Sequence, residues 1–325
     1  NLPIGVAVYA LCVALLPNAR GQAHGEKLDV AGAVTVTLSL MLAVYGVVNG
    51  NEAGWGSTQT LGLLGAAVVL LAIFITIEAR VQHPLMPLGL FRLRSVSVAN
   101  VVGVLWAAAM FAWFFISALY MQLVLNYTPM QIGLAFLPAN IIMAVFSLGL
   151  SARLVMRFGI RKPLAAGLWL AAIGLALFAR APVNGSFVVD VLPGMMLLGL
   201  GAGMAFNPVL LAAMSEVDPA DSGLASGVVN TAFMMGGALG LAVLASAAAA
   251  RTGSMQAAGA QLPLALTGGY NLAFLVGAVF AAVAGLLGAL LLRTASPGAT
   301  QNDKNNSNNE EAAASASTAN RAAAS

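Results

Sequence analysis

The residues with chemistry to offer are acids, amides and aromatics embedded in long apolar runs. Asp190 stands a few residues into the run 187–213. A charge inside hydrocarbon is costly and marks a proton or cation site. At a helix start, the helix dipole alone accounts for the same acid. Glu78 follows the run 61–77 and precedes Arg80 by two residues, where a snorkelling or ion-paired acid is the simpler reading. Gln122, Asn140, Asn207 and Asn230 are amides in or at the edge of apolar runs, and each must find a neighbour, water or a ligand. Along 95–122, Asn100, Gly103, Ala107, Phe111, Phe114, Ala118 and Gln122 fall on one helical face. Trp106, Met110, Trp113 and Ser117 fall on the next. Aromatic and Met surfaces suit a cavity for large, flat lipophilic cations, through cation–π and adaptable contacts. The competing reading is aromatics that pack or face lipid.

A second stripe runs along 222–249: Gly223, Gly227, Asn230, Met234 and Gly237. Its glycines let helix backbones approach closely, while Asn230 and Met234 join the cavity candidates. Pro138, Pro193 and Pro208 fall inside apolar runs and would kink helices there. Asn207-Pro208 reads as a bend, with Gly199, Gly201 and Gly203 before it as a compliant stretch; gating and plain packing remain equal readings. No cofactor or metal is expected. Cys12 is the sole cysteine, His24 and His83 are the only histidines, and no catalytic or nucleotide-cradling motif is present. Gly199-Leu200-Gly201-Ala202-Gly203 lacks the further glycine of a dinucleotide loop and sits in an apolar span. An enzyme is not expected.

The elements that position these residues follow from composition. The chain has 325 residues, 60% hydrophobic and 8% charged, against about 25% charged in soluble domains. Lipid must be the solvent for most of it. A net charge of +3 is too small and scattered for nucleic acid. Nine apolar runs are long enough to cross a bilayer: 1–16, 30–48, 61–77, 96–121, 133–150, 163–179, 187–213, 222–249 and 270–292. Strand alternation is absent, so the fold class is all-α, a polytopic integral membrane helix bundle. The Asn-, Ser- and Ala-rich stretch 294–325 is expected to be a disordered tail. The chain begins without Met or a leader, which reads as a piece lacking its natural beginning. With nine spans, twelve of the fourteen Lys and Arg fall on one side, and only Arg180 and Arg251 on the other. The rich side is expected to be cytoplasmic, together with the tail, in the cell membrane. Trp55, in Gly54-Trp55-Gly56, then anchors the outer interface.

Several ordered motifs resemble a known family. They are Asn1-Leu2-Pro3-Ile4-Gly5; Glu78-Ala79-Arg80 with Pro84-Leu85-Met86-Pro87-Leu88 and Leu90-Phe91-Arg92; Tyr120-Met121-Gln122 with Tyr127-Thr128-Pro129-Met130-Gln131-Ile132-Gly133 and Leu137-Pro138; and Gly223-Leu224-Ala225-Ser226-Gly227 with Asn230 and Gly236-Gly237-Ala238-Leu239-Gly240. Together they resemble the major facilitator superfamily, in its fourteen-span drug:proton antiporter branch of the EmrB/QacA type, over nearly the whole chain except the tail.

The resemblance implies proton-coupled efflux of lipophilic or cationic compounds by alternating access. It implies that 1–16 is the last helix of an N-terminal bundle, that 17–28 and 78–94 are cytoplasmic loops, that 29–77 is an extra helix pair, and that 95–293 is a C-terminal six-helix bundle built of two repeats. The partners implied are substrate, protons, the bilayer and the missing N-terminal bundle, which would hold the coupling acids. The stretch Arg153 to Pro163, with Arg157, Gly159, Arg161 and Lys162, resembles the basic gating signature of the superfamily. Met156 stands where an acid is usual, which puts carboxylate-dependent gating in doubt for this half. The acidic loop Glu216–Asp221 lies on the same side and either pairs with that basic stretch or caps a helix. Two rival readings stay open: a related carrier for a metabolite, siderophore or amino acid, and a non-transporting membrane receptor or scaffold.

Overall fold

A computed structural model describes residues 2–15, 29–81, 84–218 and 221–292. The loop 17–28, the tail 294–325, both histidines, and Arg20, Lys27, Arg293, Lys304 and Arg321 lie outside the described residues. The described chain is helical throughout: α1 Leu2–Leu15, α2 Val30–Ala53, α3 Thr58–Glu78, α4 Arg94–Leu119, α5 Pro129–Val145, α6 Ser151–Phe158, α7 Arg161–Phe178, α8 Leu192–Met214, α9 Ser222–Ala257 and α10 Leu262–Leu291. Wide π-turns at Tyr120–Val124, Phe146–Leu150 and Phe187–Val191 extend α4, join α5 to α6 and lead into α8.

Eight helical stretches among the described residues are long and apolar enough to cross a membrane. The ninth candidate, 1–16, is described as the 14-residue α1. At 1.5 Å per residue it reaches about 21 Å, short of a ~30 Å hydrocarbon core. Several spans outrun their sequence limits. Residues 129–158 form one 30-residue stretch, and α9 has 36 residues. Arg153 and Arg157 therefore ride on a helix end rather than a loop, and Arg251 lies within α9.

Local chemistry sets the ends. Asp29 Oδ1 accepts the Gly32 N–H at 2.8 Å and caps α2. Ser57 caps α3. Thr128 and Gln131 form a reciprocal capping box at α5, with Pro129 at its first position. These caps satisfy N–H groups that a helix cannot pair internally. Gly159 stops α6 at φ 75°, a left-handed conformation that glycine alone adopts without a Cβ penalty.

α4 is the centre of the bundle. It packs on α8, α9 and α10, while α7 lies between α8 and α10 and α5 lies on α8. Trp106, Trp113, Tyr120, Phe178 and Phe274 are fully buried in the shared core. α2 and α3 pair with each other, and α2 rests on α9.

Candidate functional site

Glycines let the helices of the bundle approach backbone to backbone. On α9, a Cβ at Gly236 would stand 2.7 Å from the Val104 Cα, and one at Gly237 would stand 2.8 Å from the Phe111 ring. The glycines of α8 face two ways: Gly199 and Gly203 meet Ala139 and Met143 of α5, and Gly201 meets Gly167 and Ala171 of α7. They form close-packing surfaces on both sides of α8. Pro193 sits in the first turn of α8, directly after the π-turn Phe187–Val191. Pro138 and Pro208 are inside helices.

This packing turns one aromatic set together. Phe233 of α9 meets Phe111 of α4 edge-on at 6.3 Å and Phe206 of α8 edge-on at 5.8 Å. The cluster joins three helices. Phe206 is 40% exposed and Met234 44%. Asn230, one turn before Met234, is exposed and makes no side-chain hydrogen bond to any described residue. Phe111 and Met110 are half-buried. The result is an open face of ring edges, a thioether and an unpaired amide. Phe206 and Phe233 escaped the sequence reading, because face-counting on single helices does not show which rings meet across helices.

The other candidates lie elsewhere. Trp106 is fully buried, and its indole N–H has no partner among the described residues. Phe114 stacks on Phe136 at 5.4 Å, beside Trp113. Asn140 is half-buried on α5. Asn207 Nδ2 donates to the Ser147 carbonyl at 2.7 Å, tying α8 to the π-turn before α6. Gln122 is exposed in the first π-turn. Asp190 Oδ2 accepts the Ser186 N–H at 2.7 Å, within the turn that starts α8. Nearby, the Tyr120 hydroxyl donates to the Pro182 carbonyl at 2.6 Å.

Asn100, Gly223 and Gly227 line a separate groove of about 1110 Å³ between α2 and α9. Asn100 Nδ2 donates to the Val96 carbonyl at 2.9 Å, and its buried Oδ1 has no partner among the described residues. A Cβ at Gly223 or Gly227 would meet nothing within 4 Å.

Arg157 is exposed over the Phe158 ring, and Lys162 is exposed at the start of α7. Glu216 does not reach them: its Oε2 accepts the Ser95 N–H at 3.2 Å, at the start of α4. Asp221 makes no side-chain cap on α9. Glu78 is not a snorkelling acid. It is buried, accepts the Met86 N–H at 3.0 Å and leaves Arg80 exposed. Burial removes the water that a snorkelling carboxylate needs. Among the described residues, no group of three or more His, Cys, Asp or Glu is placed to hold a metal.

The sequence pattern of the Major Facilitator Superfamily matches residues 4–241. The chain belongs to that superfamily, a family of multi-pass membrane transporters and not of enzymes. More particularly, it is 34% identical over 92% of its length to a cephamycin export protein of Amycolatopsis lactamdurans, covering 61% of that protein. It is 33% identical over 90% of its length to a puromycin resistance protein of Streptomyces alboniger, covering 58% of it. It is also 35% identical over 76% of its length to a lincomycin resistance protein of Streptomyces lincolnensis, covering half of it. The chain thus spans about three fifths, or less, of the relatives it matches.

Proposed function

We propose that this chain forms part of a proton-coupled exporter of lipophilic or cationic drugs, working by alternating access in the cell membrane. The observation that carries the reading is the Asn230 face. An unpaired amide two turns into an apolar membrane helix does not belong against lipid, because polar groups in spans turn toward the protein interior or a water-filled cavity. Beside it, Phe206, Phe233 and Met234 offer the aromatic and thioether surface that a flat, lipophilic cation needs. The naming of relatives for cephamycin export and for puromycin and lincomycin resistance supports drug-sized cargo.

In this reading the open face of α4, α8 and α9 is covered by a second helix bundle of the same transporter, of the fourteen-span type, and the cavity lies between them. The basic ends Arg153–Lys162 and the C-terminus face the cytoplasm. The test is dye efflux by the full-length transporter in everted vesicles. Efflux that collapses on adding a protonophore, and that falls when Asn230 becomes Ala while the protein stays folded, supports the proposal. Efflux indifferent to both treatments refutes it.

A further inference from the structure

Two acids meet at one end of the α2–α3 pair. Asp29 Oδ1 is held by the Gly32 N–H and Glu78 Oε2 by the Met86 N–H. The other oxygen of each, Asp29 Oδ2 and Glu78 Oε1, is buried and has no hydrogen-bond partner among the described residues. The two residues are only 8% and 4% exposed. Both free oxygens lie against the same bare face of Gly32. A Cβ placed there would collide with Asp29 Oδ2 and stand 2.9 Å from Glu78 Oε1. The absent side chain of Gly32 is what lets the two carboxyls converge.

No counter-charge accompanies them among the described residues. α9 presents Gly223, Leu224, Gly227 and Thr231 to the neighbouring groove, none of them titratable. The segment after α3 contributes backbone N–H, while Arg80, Arg92 and Arg94 are exposed. His24, Lys27 and His83 lie outside the described residues. Two ionised carboxylates confined together lose hydration and repel, and such a pair titrates as a unit. One proton between them removes a charge and gives both stranded oxygens a partner.

We propose that Asp29 and Glu78 form a proton-binding site: one carboxyl keeps its O–H and donates it to the free carboxylate oxygen of the other. On release, that O–H bond breaks and the proton passes to bulk water. The pair is left doubly negative, and repulsion pushes the start of α2 away from the end of α3. Ala33, Phe74, Leu85 and Met86 flank the pair and line the α2–α9 groove, so its charge state sets the packing at that end of the groove. The site does not depend on what the transporter carries, and its test does not involve transport.

The test is infrared spectroscopy of the full chain in lipid nanodiscs, with carboxyl-labelled Asp or Glu to assign bands by residue type. The expected result is a protonated-carboxyl C=O band of one group per chain at neutral pH, shifted by either label or both. It should titrate away in alkali and be missing from the Asp29→Asn/Glu78→Gln double variant. No such band in the unsubstituted chain, a band that neither label moves, or a band unchanged in the double variant overturns the proposal. Should the double variant not fold, thermal unfolding of Glu78→Gln against pH decides. The folded unsubstituted chain holds one proton more than the unfolded chain, so its stability falls as pH rises through the titration. The Glu78→Gln curve should be flat over that range, and parallel curves would refute the site.

Discussion

The six-helix bundle and the α2–α3 pair are both apolar helices in lipid, yet they hold together differently. Over their most apolar windows α2 and α3 are 22% and 17% buried and the 129–158 stretch of the bundle 11%, whereas α4 at the centre of the bundle is 56% buried. Lipid tails are as apolar as leucine, so burial gives helices little hydrophobic reason to associate in a bilayer. Close van der Waals approach and interhelical hydrogen bonds must do it. The bundle uses glycine against backbone at Gly199, Gly201, Gly236 and Gly240. The pair uses glycine against side chains, Gly46 against Leu64, and Ser39 donating to the Ala67 carbonyl at 2.7 Å. The bundle is the frame; the pair beside it carries the two buried acids Asp29 and Glu78.

Substitutions sharpen the contrast. The largest effect belongs to the frame: Gly240→Val drives a branched side chain into the Ala108 backbone and should cost about 3 kcal/mol, read as lost folded yield and early thermal unfolding in detergent. Next, Asn230→Ala on the open face should lower dye efflux about tenfold, equivalent to ~1.4 kcal/mol, with the melting temperature unchanged. Third come the polar links. Asn207→Leu in the bundle should cost about 1 kcal/mol, and Ser39→Ala in the pair about 0.6 kcal/mol, both by denaturant titration of the purified chain. Smallest and opposite in sign, Gly227→Ala meets open space and should stabilise α9 by about 0.5 kcal/mol through helix propensity. A loss as large as that of Gly240→Val would mean that this face of α9 is not open.

Much of the architecture was legible in the sequence because lipid imposes a simple rule: long apolar runs become helices. The spans 30–48, 61–77 and 187–213 nearly coincide with observed stretches. Ends were harder. Nothing in composition says that 250–257 continues α9, since Arg251 and Thr252 are ordinary residues for an exposed helix end. Face assignment was partial. Phe111 and Asn230 could be picked out on their own helices, but the Phe111–Phe233–Phe206 contact depends on how three helices cross. The Asp29–Glu78 encounter was out of reach for the same reason. Asp29 stands just before the run 30–48 and Glu78 just after 61–77, where it reads as snorkelling or as the partner of Arg80, until pairing of α2 with α3 brings them together over Gly32.

The π-turn at Phe146–Leu150 has a consequence for anyone mapping this protein by labelling. Each such turn adds a residue to the helical count, rotating everything beyond it by about 100°. Single cysteines placed along 129–158 should therefore show a reactivity wave that keeps one phase up to Val145 and resumes out of step from Ser151. A wave in step from end to end would mean that the helix is regular.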